Sequence, residues 1–173
     1  MTPKMRRKFH KWIYLGALMF IAVILQTTVL SRLSFLGCTP SLIPFIVATV
    51  SLLEGHGEGM IAGLIGGFLC DALYSGYEGF FIIALPVLAL LICIMNTVMF
   101  WKNYGMSLLD WAVLMILLNT AHYLLFMLAK GQGSAEALLY VIPGEIATTL
   151  PFTPFLYMII KKIIKTFDGS DEY

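Results

Sequence analysis

Charge is what this sequence has least of. Asp, Glu, Lys and Arg make up 12% of the 173 residues, against roughly 25% in an average soluble domain. Cysteine is scarce too. Cys38, Cys70 and Cys93 are odd in number and form no CxxC pair, which argues against a disulfide framework or a zinc site and leaves them as small apolar residues in or beside helices. HExxH, GxSxG and P-loop signatures are all missing, so no common catalytic motif offers itself and no cofactor is implied. His56 sits in Glu54-Gly55-His56-Gly57-Glu58, which is like a metal loop in composition only and reads as a turn between two helices. A net charge of +1 supplies no global field to attract nucleic acid.

What is present is apolar. The AVILMFWYC set makes up 60% of the chain, with a mean hydropathy of +0.89. A soluble globule of this size needs far more polar surface. Six membrane crossings of ~20 residues use about 120 residues and leave about 50 for tails and links. The expected fold class is therefore an all-α integral membrane protein, a single six-helix transmembrane domain over residues 12–160. A cytoplasmic basic tail (1–11) precedes it and a basic-then-acidic tail (161–173) follows.

Charge-free runs place the spans. Trp12–Ser31 is the first, longer than the h-region of about 7–15 residues in a signal peptide, and it reads as a retained helix. Pro40 and Pro44 interrupt the second run, so its regular helix is expected from near Pro40 to Glu54. That is about 14 residues or ~21 Å, too short to cross a ~30 Å core upright, with residues 32–39 tucked against its outer end. The remaining spans are Gly57–Leu73, Gly79–Trp101, Leu108–Ala129 and Ala137–Ile160, the last expected to bend at Pro143, Gly144, Pro151 and Pro154. Their short links join antiparallel neighbours.

An even number of spans with both termini in the cytoplasm puts nine Lys and Arg inside, five of them before Trp12, and only Arg32 and Lys130 outside. That asymmetry is a positive-inside pattern, with Trp12 and Trp101 at the inner interface. Asp110, at a helix start, is expected to reach cytoplasmic water.

Gly55, Gly59, Gly63 and Gly67 recur every four residues and Asp71 takes the next step. In lipid such a stripe lets two helix backbones approach closely, either within the bundle or against a partner. Asp71 then lies near the outer surface, satisfied by water and amides around Ser75–Gly76 or by a partner or ligand. Glu145 lies deeper, where a carboxylate must face protein or water. Gln26, Asn96, Asn119 and His122 are further buried polar candidates. Asn119 and His122, three apart, share one face, and interhelical hydrogen bonding is the plain expectation for all of them.

Taken together, these residues resemble the rod-shape-determining MreD family of bacterial inner-membrane proteins. The likeness begins at Leu25-Gln26 and Pro40-Ser41-Leu42. It is strongest from Gly59 through Gly63, Gly66-Gly67, Leu69 and Asp71 to Gly79, and resumes at Pro154 and Lys161–Lys165. The family's usual leucine pair before the aspartate reads Leu69-Cys70 here. The resemblance implies a non-enzymatic scaffold of the cell-elongation machinery that supports rod shape and lateral peptidoglycan synthesis. Its partners would be MreC through membrane helices and, indirectly, MreB and the synthase pair of RodA and a penicillin-binding protein. A homodimer is left open. The implied fold is like the six-helix substrate-binding subunits of energy-coupling-factor vitamin transporters, and such a subunit is the alternative function. Against it, Gly16, Ala17 and Ala22 do not give the Ala-x-x-x-Ala docking spacing usual in those proteins. A membrane-embedded enzyme would need Asp71 and Glu145 to meet.

The topology is checked by reporter fusions after Thr166 and within residues 130–136, which should report opposite sides of the membrane. The same side for both would exclude six spans.

Overall fold

The computed structural model describes residues 3–30, 40–73, 79–98, 103–130 and 135–168. They form seven α-helices: α1 (Pro3–Leu25), α2 (Leu42–Glu54), α3 (His56–Leu73), α4 (Phe80–Val98), α5 (Tyr104–Lys130), α6 (Ala135–Thr149) and α7 (Thr153–Asp168). Among the described residues there is no strand. Two stretches, Arg6–Thr28 and Tyr104–Leu125, are long and apolar enough to cross a membrane, and Leu42–Glu54 and Phe80–Asn96 are shorter apolar helices.

The bundle is built around α2. Every residue from Leu42 to Leu53 is buried, enclosed by α1, α3, α4, α5 and α7. Pro44 falls in its first turn, where a missing amide hydrogen costs nothing because that amide has no intrahelical acceptor. At 13 residues it spans about 20 Å, as the two prolines and Glu54 predict. Phe45 packs edge-on against Trp111 of α5 at 5.9 Å between ring centroids, and Leu15, Met19, Leu85, Leu114 and Ile160 complete the core around it.

Gly55 turns the chain from α2 directly into α3. Its φ of 95° is a left-handed conformation that side chains resist, and a Cβ there would meet nothing within 4 Å. Gly55 therefore belongs to the turn and not to the glycine ridge. The rest of the ridge does pack, against two neighbours. A Cβ on Gly63 would lie 2.7 Å from Cα of Pro86, and one on Gly67 2.7 Å from Cα of Ile82, both in the backbone of α4. Gly59 instead faces Ser51 of α2 (3.0 Å to its Cα), and Gly66, outside the expected stripe, faces Ile43 and Val47 of α2 at 2.9 Å. Helix α3 is thus wedged between α2 and α4, and its pairing with α4 is the most extensive among the described residues.

Several boundaries differ from expectation. The last span is two helices, separated by a tight 3₁₀ turn at Leu150–Phe152. Pro154 cannot donate to the Leu150 carbonyl, and that oxygen is taken by the amide and the hydroxyl of Thr153, the latter at 2.7 Å. The ladder therefore stops instead of bending. Beyond residue 160, where a tail is expected, α7 continues to Asp168 because Leu156, Ile160 and Ile164 hold one face of it in the core. At the other terminus, residues 3–11 are helical and continuous with the first span. The segments 32–39 and 74–78, including Cys38 and the amides of Ser75 and Gly76, lie outside the described residues.

Leucine at position 63 or 67 has only main chain to displace, and overpacking of that kind costs about 3 kcal/mol. Gly63→Leu and Gly67→Leu should each lower the thermal midpoint of the purified protein and its accumulation in membranes. Gly16→Ala is the control: it meets nothing within 4 Å and should gain up to ~1 kcal/mol of helix stability. Unchanged midpoints for the two leucine variants would refute the close approach of α3 and α4.

Candidate functional site: buried polar contacts between helices

Asp71 ends α3 one helical turn beyond Gly67 and reaches across to α4. One carboxylate oxygen accepts the amide of Phe81 at 3.0 Å, the other the amide of Ile82 at 2.8 Å. These are two of the amides that the first turn of any helix leaves without an internal acceptor, and a negative charge is favoured there. Asp71 is a helix cap supplied from the neighbouring helix. Sequence offered a helix terminus satisfied by water and amides around Ser75–Gly76 or a contact to a partner or ligand; the amides of Phe81 and Ile82 are the ones seen, and Ser75 and Gly76 lie outside the described residues.

Glu145 of α6 accepts a hydrogen bond from Asn119 of α5 at 3.0 Å. His122, three residues on from Asn119, turns instead to α4, where its ring lies 5.4 Å from that of Phe80 and 6.4 Å from that of Phe81. The pair expected to share one face thus serves two different neighbours. Gln26 is buried and its side-chain oxygen accepts the Leu42 amide at 3.3 Å, at the start of α2. Asp71 and Glu145 have separate hydrogen-bond partners, two amides of α4 for the one and Asn119 for the other.

Several buried contacts have no counterpart in the sequence reading. Lys11, counted with the cytoplasmic tail, is 1% exposed and makes an ion pair of 2.5 Å with Glu54 at the end of α2. Lys8 makes an exposed pair with Glu58 at 3.2 Å one turn further out. Asp110, expected to reach water, is 2% exposed and accepts from Asn96 of α4 at 2.7 Å. Helix α5 begins at Tyr104 and not at Leu108, which carries Asp110 nearly two turns into the bundle. Hydroxyls supply the rest: Thr49 with Ser107 at 2.7 Å, Tyr104 with Thr153 at 2.8 Å, and Thr149 accepting the Ser41 amide at 3.0 Å. Cys70 and Cys93 are buried free thiols, and Cys93 donates to the Ser51 carbonyl at 3.3 Å.

The outward face is the reverse. Phe20, Phe68, Ile83, Leu124, Phe155 and Met158, from five different helices, are all more than half exposed. Soluble monomers rarely show contiguous apolar surface beyond a few hundred Å². Chemically the arrangement joins helices: each buried carboxylate is committed to an amide, an asparagine or a lysine. Among the described residues, no three His, Cys, Asp or Glu side chains gather as a metal-binding group. No protein family, curated protein or solved structure matches the chain.

Losing one member of a buried ion pair strands the other charge, at a cost of about 3–5 kcal/mol, whereas replacing both by apolar groups is often near neutral. Lys11→Met should therefore destabilise the protein strongly, and adding Glu54→Leu should restore most of the loss. Thermal melts of the two singles and the double give the coupling; additive losses would contradict a direct buried pair.

Proposed function

We propose that this protein is a multi-pass scaffold of the bacterial cytoplasmic membrane, of the MreD type, that holds partner helices without turning over a substrate. The observation that carries the reading is the apolar exterior of the fold, around an interior that holds paired polar groups within its apolar core. Charged and hydroxyl side chains are paired inside, while large apolar side chains such as Phe20, Phe68, Ile83, Leu124, Phe155 and Met158 stand exposed on five helices. Water penalises that outer face and lipid does not, because the hydrophobic effect acts only on apolar surface that water would otherwise touch.

On this reading α1 and α5 span the membrane fully, α2 is a short internal helix, and α6 and α7 together make the broken last crossing, keeping both termini in the cytoplasm. The irregular backbone between α6 and α7 is then tolerable because Thr153 satisfies it within the protein. The carboxylates serve as helix caps and interhelical ties, which suits a body whose business is done at its outer faces. The partner proposed from the resemblance is MreC, engaged through helix packing in the bilayer, with MreB and the RodA–penicillin-binding-protein synthase reached through it.

Depletion of the protein in its host should round the cells, and detergent-solubilised protein should co-purify MreC. Depleted cells that stay rod-shaped but lose uptake of a vitamin would establish the transporter-subunit alternative instead.

A further inference from the structure

At the N-terminal end of α1, Arg6, Arg7 and His10 line an open cavity of about 280 Å³ whose remaining wall is Phe167 of α7. The other cations of this helix end are engaged elsewhere: Lys8 with Glu58 and Lys11 with Glu54. Arg6 and Arg7 have no acidic partner among the described residues. His10 donates from Nδ1 to the Arg6 carbonyl at 2.7 Å, which fixes its ring over the preceding turn. Phe167 is held by Tyr14, with ring centroids 5.3 Å apart.

Helical spacing makes this cavity the foot of a longer feature. Arg6, His10 and Tyr14 are successive i, i+4 neighbours, and the same face continues through Ala17, Ile21 and Ile24. All of these are exposed, the last two at 54% and 46%. Two guanidiniums and an imidazole thus stand at one end of an uncovered apolar strip about as long as an acyl chain. Guanidiniums match phosphate oxygens in a two-pronged geometry that ammonium groups cannot offer.

We infer that this cleft between α1 and α7 binds one anionic phospholipid, its headgroup phosphate on Arg6, Arg7 and His10 and its chains along Tyr14, Ala17, Ile21 and Ile24. The inference rests on the membrane reading above. It differs from general attraction to an anionic surface in requiring particular residues: Lys162 and Lys165 are exposed on α7 nearby and do not line the cavity.

The test is native mass spectrometry of the full chain in detergent containing equal amounts of phosphatidylglycerol and phosphatidylcholine. The wild-type chain should retain one phosphatidylglycerol in preference to phosphatidylcholine. Each basic group near an anionic surface contributes a factor that compounds to about thirtyfold for two, so Arg6→Gln/Arg7→Gln should weaken retention by about that much. Lys162→Gln/Lys165→Gln, which removes the same charge, should change it little, and Arg6→Lys/Arg7→Lys should fall between, with unaltered melting in every case. Equal losses from the arginine and lysine pairs, no headgroup preference, or displacement of the lipid by inorganic phosphate alone would each overturn the site. Extraction of native membranes with alkaline carbonate separates the two readings. Release of the chain would refute its membrane insertion, whereas retention together with an indifferent arginine pair would refute only the lipid site.

Discussion

A helix buried on every side must have its ends closed by something other than water. Helix α2 is in that position, and much of the irregular structure elsewhere exists to meet it. A buried amide or carbonyl left without a partner costs about 1–3 kcal/mol. At the start of α2 the Ser41 amide is taken by Thr149 and the Leu42 amide by Gln26. Gln26 is the first residue of a wide π turn that follows α1, and Thr149 is the last residue before the 3₁₀ break after α6. Both interruptions in the flanking helices therefore lie where those helices meet the beginning of α2. At the other end Gly55 folds back so that its amide reaches the Ser51 carbonyl, and Lys11 neutralises Glu54.

The same constraint explains why so apolar a core also holds polar groups. Each of these buried or half-buried acids is tied to a different helix from its own: Asp71 to α4, Asp110 to α4, Glu145 to α5, Glu54 to α1. These ties set which helices are neighbours and at what height, which non-directional apolar contacts cannot do alone. With the acids so used, the surfaces left for recognition are the apolar outer faces and the basic end of α1. Such a surface is suited to binding helices and lipids.

Much of the architecture was legible in the residues. Charge-free runs located α2, α3, α4 and α5 to within a few residues. The prolines foretold a short α2, and the four-residue glycine period foretold a closely packed α3. Other features were hidden. Gly55 keeps the period yet serves the turn, because sequence spacing does not report φ. Lys11 and Asp110 look like end charges, since a charge beside an apolar run is normally a boundary, and only the extra turns at the starts of α1 and α5 draw them inside. Thr149 and Ser107 give no signal at all: hydroxyls are mild in hydropathy, and their role depends on a helix far away in the chain. Which residue Asp71 would meet was likewise invisible, although its place one turn beyond Gly67 was plain.

The cap that Asp71 supplies also bears on the order in which the molecule assembles. It joins residues only 10 apart in sequence, whereas the cap on Ser41 comes from Thr149, 108 residues away. The chain entropy lost in closing a loop grows with the logarithm of its length, so the longer closure costs about 2 kcal/mol more. The hairpin of α3 and α4, with its glycines already seated on Pro86 and Ile82, can therefore form as an early, self-contained nucleus. The N-terminal end of α2 is sealed only when α6 arrives. For as long as the chain is incomplete, the Ser41 amide at the start of the central helix waits on the last third of the chain.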